Sequence, residues 1–261
     1  WLYFAVLLTL TFYVASELSG SYARSDNSFS NAPFFIAVMS LVFGTMGLLI
    51  GAALAGDAAA RDAQTQLDPL LYTAPVSKLA YLGGRFFAAF GLYAVLLLSV
   101  PLGLLLAELA GNPALLGPFR PAAYVAPYLF LVVPNGFVAT AVLFWMAALS
   151  RRATTSYLGG VVLVAACAFS WSWVASAWGQ WELAKLLDPL GANVLREGLM
   201  TWTPVERSTR LIGLGGTLLW NRVLWIVIAL GVLALTHSRF PFAHHTVGAS
   251  RYRVSRRSER I

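Results

Sequence analysis

Two segments of this chain, residues 33–55 and 86–107, hold no charged side chain at all. Each is long enough to cross about 30 Å of hydrocarbon as a helix, so a bilayer sets the terms on which the chain folds. Between them lies a polar island, residues 56–85, reading GDAAARDAQTQLDPLLYTAPVSKLAYLGGR, with Asp57, Arg61, Asp62, Asp68, Lys78 and Arg85. A loop that only returned the chain to the membrane could be a few residues long. This one carries its own helix signals. Asp68-Pro69 is an N-cap followed by proline at the first helical position, and Ser77 can cap a second start. Leu70, Leu71 and Tyr72, then Pro75 and Val76, form an apolar patch between them. A short helix with an apolar knob at a membrane face suits the docking of a soluble partner. A helix lying on the lipid surface reads the same way.

Six apolar spans of about 20 residues can be placed at 1–18, 33–55, 86–109, 124–149, 156–177 and 218–235. Their apolar surface does not fit inside one soluble core: 59% of the 261 residues are hydrophobic and 11% charged, against about 25% charged in soluble domains. The expected fold is therefore an all-α polytopic membrane protein with six transmembrane helices. Gly47 and Gly51 make a GxxxG face on the second span that permits close helix approach. Pro127 and Pro134 should kink the fourth span. Cys167 is the one cysteine, so no intrachain disulfide forms. The chain opens on Trp1 inside an apolar run, which reads as a fragment with sequence missing upstream, and nothing resembles a cleavable signal peptide.

Basic residues orient the spans. If the island faces the cytoplasm, Arg61, Lys78, Arg85, Arg151, Arg152, Arg239 and five tail arginines lie inside, against Arg24 and Arg120 in the short outer loops. Both termini are then cytoplasmic and the protein is integral to the inner membrane. Residues 240–261 form a basic tail suited to anionic lipid; nucleic acid is not an expected partner, because no aromatic-rich basic fold accompanies the run.

The connection between spans five and six, residues 178–217, should hold two short amphipathic helices. Leu183, Leu186, Leu187 and Leu190 follow one helical face, interrupted at Asp188-Pro189. Thr203-Pro204-Val205-Glu206 reads as a capping box with proline at the first helical position. Trp202, Thr203, Pro204, Glu206, Arg207 and Arg210 are the candidate outer gate, and a passive lid has the same pattern. Trp171, Trp173, Trp178 and Trp181 read as an aromatic belt. Glu17 and Glu108 sit near outer span ends, where a carboxylate either meets water or serves a pathway. No HExxH, phosphate-binding loop or GxSxG occurs. His244-His245 point to different sides, so neither a metal site nor a catalytic site is expected in this chain.

Six spans, a cytoplasmic segment after the second and short outer helices before the sixth resemble the ABC-2 family of ABC-transporter permeases. The resemblance is carried by Asp57, Arg61-Asp62, Leu70-Leu71-Tyr72, Pro75-Val76-Ser77-Lys78, Tyr81 and Gly84-Arg85. Two further stretches, residues 201–210 (TWTPVERSTR) and 221–225 (NRVLW), are similar to the permease portion of large bacterial chains that join such membrane regions to an M1-family aminopeptidase. The zinc motif of that peptidase is absent, and so is the interfacial helix usual before the first span. The resemblance implies an ABC-2-type transmembrane domain over 1–239. It also implies a separate ATPase subunit carrying ATP and Mg, with no cofactor in this chain, and a second six-span unit, either another copy or a similar half. The set Asp57, Arg61, Asp62, Asp68, Leu70, Leu71, Tyr72, Pro75, Ser77, Lys78, Tyr81 and Arg85 would couple the ATPase to the spans through a coupling helix. A membrane scaffold that recruits soluble partners without transport is the other reading.

Docking through the apolar knob has a direct consequence. Leu71→Asp or Tyr72→Asp should abolish co-purification of the ATPase while membrane insertion persists, because an unpaired charge in the interface costs about 3–5 kcal/mol. Undiminished co-purification of both variants would place the docking site elsewhere.

Overall fold

The structure, a computed structural model, describes residues 1–65 and 77–240. Asp68, Leu70, Leu71, Tyr72 and Pro75 of the island, and residues 241–261 of the basic tail, lie outside the described residues. All regular structure among the described residues is helical. Five helices are long and apolar enough to cross a membrane: Leu2–Asp26, Lys78–Leu109, Pro121–Ser150, Ala153–Ala177 and Gly216–Arg239. A pair, Pro33–Met46 and Leu48–Asp62, makes a sixth if it is counted as one broken span, bent by 41°.

Helix α1 (Leu2–Asp26) outruns the expected span 1–18 by two turns. Its polar end does not stop it, because the hydroxyls of Ser21 and Ser25 donate back to the carbonyls of Leu18 and Tyr22. Asn27 ends it in the left-handed conformation at φ 50°, which asparagine tolerates better than most residues. Helix α2 (Pro33–Met46) starts with proline in its first turn, and α3 (Leu48–Gln64) follows after the bend at Gly47. The expected single span 33–55 is thus two helices. The first part of the island is helix as well, since the alanine-rich run around Asp57, Arg61 and Asp62 favours helix despite its charge. Helix α4 (Lys78–Leu97) begins where Ser77 accepts a hydrogen bond from the Ala80 N–H at 3.2 Å, eight residues before the expected start of the third span. Gly83 and Gly84 do not interrupt it.

A break at Leu98 separates α4 from α5 (Ser99–Leu109). Pro101 supplies the cause, since it cannot donate to the carbonyl four residues back. The fourth span comprises α6 (Pro121–Pro127), a π-helical turn over Tyr128–Val132 and α7 (Val133–Ser150). The wide turn lies between Pro127 and Pro134, where two backbone donors are missing. Helix α8 (Ser156–Phe169) runs into a second π-helical stretch, Ser170–Ala177. The connection holds three short helices rather than two: α9 (Trp181–Leu187), α10 (Ala192–Thr201) and α11 (Pro204–Thr209). Helix α12 (Gly216–Arg239) completes the bundle and extends the expected span 218–235 at both ends.

Helix α7 is the centre. Val138, Ala139, Ala141, Leu143, Phe144, Ala147 and Ala148 are all buried on it, among α3, α4, α8 and α12. Phe86 of α4 lies edge-on to Phe137 and Phe144 of α7, with ring centroids 5.5 and 6.0 Å apart. On the outside, Val161, Val162, Val164, Val227 and Leu230 are exposed, an apolar perimeter suited to lipid rather than water.

Small residues set the closest approaches. A Cβ on Gly103 would lie 2.8 Å from Thr11, so α1 and α5 touch backbone to backbone. A Cβ on Gly56 would lie 2.5 Å from the Ala153 carbonyl, and Ser156 donates to the Ala52 carbonyl at 2.7 Å, which seats the start of α8 on α3. The GxxxG pair is used inside the chain: Gly51 faces the buried ring of Tyr93 on α4, and Gly47 faces Leu97 and the Tyr93 hydroxyl. That face is filled and offers no surface for a second unit.

Gly51→Ala would set a methyl 2.9 Å from Tyr93 and should cost about 1–3 kcal/mol, as overpacking does. Gly84→Ala meets nothing within 4 Å and should be neutral or gain up to about 1 kcal/mol of helix stability. Unfolding of the two variants in detergent micelles checks the contrast, which fails if both behave alike.

Candidate functional site

Two polar assemblies sit at opposite ends of the bundle. At the island end, Asp57 and Arg61 pair at 3.6 Å on an exposed face of α3, a solvated ion pair worth little. Asp62, one residue on, is buried and accepts from the Tyr81 hydroxyl at 2.8 Å and from the Arg85 guanidinium. Arg85 also donates to the Ala58 carbonyl at 2.7 Å and lies 5.0 Å from the Tyr81 ring centroid. Asp62, Tyr81 and Arg85 therefore staple α3 to α4 on either side of residues 66–76. Lys78 occupies the first turn of α4 beside the Ser77 cap.

At the other end the connection folds over the bundle. Its capping box is formed: the Glu206 N–H donates to the Thr203 hydroxyl at 3.3 Å, and the Thr203 N–H donates to the Glu206 carboxylate at 2.8 Å. That backbone hydrogen bond holds the Glu206 carboxyl below its usual 4.5. Arg207 pairs with Asp26 at the end of α1 and donates to the Leu199 carbonyl. Trp202 packs on Phe34 of α2 at 5.6 Å between centroids, and the Arg210 guanidinium lies 4.6 Å from the Trp202 ring. Arg210 is the C-cap of α11 rather than one of its helical residues, because the helix is only six residues long.

Sequence reasoning missed the densest cluster, which lies beneath α9 and α10. Asp188, Asn193 and Asn221 are fully buried, and Lys185 and Arg222 are 3% exposed. Asp188 accepts from the backbone N–H groups of Leu190 and Asn193 at 3.0 and 2.7 Å, capping α10 from the residue that breaks the leucine pattern. Asn221 donates to the carbonyls of Lys185, Leu186 and Asp188, so the end of α9 is capped from α12. Lys185 holds Glu182 at 2.6 Å and both oxygens of Glu197 at 2.8 and 2.9 Å. Burial pulls the Lys185 ammonium down, yet the two carboxylates outweigh it and leave its pKa raised, while Lys185 holds Glu182 below the usual carboxylate range.

Arg222 donates to the Asn135 side chain on α7 and to the Leu190 carbonyl. Room for it exists because residue 191 is glycine. Gly191 sits at φ 74°, and a Cβ there would fall 2.0 Å from the guanidinium. The signal in the sequence was Asn221-Arg222 inside an apolar span. Glu108 is also engaged, accepting from the Tyr124 hydroxyl and from Asn31 at 2.9 Å, whereas Glu17 is exposed. The tryptophan belt divides: Trp173 and Trp178 are exposed, while Trp171 stacks under Arg196 at 3.8 Å and packs against Trp181. No group of three His, Cys, Asp or Glu side chains able to hold a metal occurs among the described residues.

In comparisons with known proteins, no family model, no curated protein and no solved structure matches the chain.

The cluster is asymmetric in what its loss should cost. Asp188→Ala leaves two buried N–H groups unpaired and Arg222 without a nearby carboxylate, for about 3–5 kcal/mol. Arg222→Met removes the buried charge and keeps the volume, so its cost should be well below that. Detergent unfolding midpoints compare the two, and equal losses would show that Asp188 does not balance Arg222. The capping box adds a pH signature. With the Glu206 pKa depressed, its contribution is complete above about pH 4.5 and fades as pH falls through the lower folded value. Hydrogen exchange over 203–209 at pH 7 and pH 3 reads that change.

Proposed function

We propose that the chain is the permease subunit of an ATP-driven transporter of the ABC-2 type. Both termini would face the cytoplasm, residues 66–76 would dock a separate ATPase, and a second six-span unit would complete the pathway. The observation that carries this reading is the course of the broken span. From Phe34, which packs on Trp202 and lies 6.0 Å from the Arg207 guanidinium, α2 runs to the bend at Gly47, and α3 carries the chain on to the stapled island end. One continuous piece of chain thus joins the island to the capping-box helix. A partner that changes its contacts at the island biases the bend, and the bend moves the first turn of α2 beneath α11. Such a push acts only through contacts that differ between two states.

The staple supplies the input. With Asp62 held by Arg85 and Tyr81, a force on residues 66–76 moves α3 and α4 together instead of fraying their ends. The connection supplies the output. Helix α11 is held by its capping box, by Arg207 on Asp26 and by Trp202 on Phe34, an arrangement fit for a gate that opens when α2 shifts.

Reconstitution in liposomes with the ATPase that co-purifies from native membranes tests the reading. ATP hydrolysis should be stimulated by the chain, and Arg85→Met should lower that stimulation at least tenfold while the two proteins still associate. Thr203→Ala removes about 1 kcal/mol of helix capping and should raise basal ATPase activity or leak with near-normal expression. An ATPase indifferent to the chain would end the transporter reading, and wild-type behaviour of Thr203→Ala would reduce the connection to a cover.

A further inference from the structure

The amphipathic pattern of α9 is inverted. Its lysine, Lys185, is 3% exposed, whereas Leu183 and Leu187, one turn apart on one face, are 44% and 39% exposed. A helix lying in water shows the reverse, with leucines turned inward and lysine outward. Helix α9 packs on the end of span five and on the start of α12, and both neighbours are apolar and exposed there: Trp173 and Trp178 on one side, Val223 and Val227 on the other. The leucine face of α9 therefore continues the apolar perimeter of the spans.

Hydrogen bonds to α12 set the height of α9. With Arg239, in the last turn of α12, at one membrane face, a rise of about 1.5 Å per residue puts Trp225 about 21 Å, Asn221 about 27 Å and Thr217 about 33 Å along the axis. The hydrocarbon is about 30 Å thick, and any tilt of α12 lowers these heights. Glu182 accepts from the Thr217 hydroxyl at 3.3 Å, at the water line. The Leu186 carbonyl accepts from Trp225 and Asn221 at 3.0 and 3.1 Å, below that line. Helix α9 thus descends from Glu182 into the half of the bilayer away from Arg239. The turn after it is built for such depth, where backbone groups must find partners inside the protein. Residues 188–191 are buried. The Leu190 and Gly191 N–H groups donate to the side chain and carbonyl of Asp188, the Asp188 carbonyl also takes Asn221, and the Leu190 carbonyl takes Asn135 and Arg222. Pro189 has no N–H to satisfy. A turn bathed in water would need none of these side chains.

From the inverted face of α9 and its height along α12, we propose that α9 and the turn into α10 are immersed in the bilayer, with Leu183 and Leu187 against lipid acyl chains. This face takes the apolar part of the lipid, whatever the headgroup. The capping-box helix α11, with Glu206 in its first turn and Arg210 at its end, stays in the water layer. The inference needs α12 to span the bilayer and does not depend on transport.

Nitroxide labels on single cysteines test it, in the Cys167→Ala chain reconstituted into vesicles of phosphatidylglycerol and phosphatidylethanolamine. Each label is read by its collisions with oxygen, which concentrates in hydrocarbon, and with a water-soluble nickel chelate. Leu187→Cys should show an oxygen-to-nickel ratio at least threefold above that of Val205→Cys on α11 and close to that of Val227→Cys on α12, with Leu183→Cys between. All four positions are exposed, so the variants should fold, and unchanged unfolding midpoints verify this. Ratios at Leu183 and Leu187 equal to that at Val205 would put α9 in water and overturn the proposal. Labels at both positions shielded from oxygen and nickel alike would overturn it too, by showing that a second copy of the chain covers the face.

Discussion

Tyr93 against Gly47 and Gly51 is the contact that lets one apolar stretch become two helices. A bend in hydrocarbon exposes backbone groups that water cannot reach. Here the Gly47 N–H still donates to the Phe43 carbonyl and the Gly51 N–H to the Gly47 carbonyl, so the hydrogen-bond ladder survives the 41° change of direction. The ring and hydroxyl of Tyr93, with Leu97 beside them, fill the space that two missing side chains leave. Everything α2 and α3 reach depends on that angle: Phe34 under Trp202 at one end, and Asp62 under Arg85 at the other.

The connection is stabilised differently. Three helices of six to ten residues do not hold by propensity alone. The end of α9 and the turn into α10 persist because α12 reaches up into them with Asn221, Arg222 and Trp225, whose indole N–H donates to the Leu186 carbonyl at 3.0 Å, while α11 is held by Arg207 on Asp26. Burying Lys185, Asp188 and Arg222 together is costly, and the cost is met by a dense set of hydrogen bonds that fixes one arrangement of α9 and α10. The same economy leaves the Arg222 Nε and the Asn221 Oδ1 without partners among the described residues. A site that pins a cover so specifically also defines where it lets go, because the bonds that Asn221, Arg222 and Trp225 of α12 give the connection all end on backbone carbonyls between Lys185 and Leu190.

What the sequence disclosed and what it hid follow from range. The caps at Ser77 and Thr203 depend on residues three positions apart, and both were legible. The composition of the apolar runs was equally local, which is why the membrane class and most helix positions follow from it. The end of α1 was misplaced because serines bonding to their own helix look like loop residues in a linear reading. The GxxxG pair announced a close approach but not its partner, because nothing in its own segment points to Tyr93, more than 40 residues away. The burial of Arg222 stayed hidden for a similar reason. Its burial rests on Gly191 and Asn135, a glycine and an amide far apart in the chain, and no periodicity connects them.

The ion pair between Asp26 and Arg207 joins positions 181 residues apart. During synthesis at roughly 5–20 residues per second, the carboxylate at the end of α1 stays unmatched for about 10–40 s before its arginine exists. Once α5 has been made, the first helix can be held in place by α2 and α5 but not yet sealed at its polar end. The nascent protein therefore passes through a stage in which the spans before the connection are made but α12 is not and the end of α1 is still unlatched, a window in which insertion machinery or a lipid can occupy what the finished connection later covers.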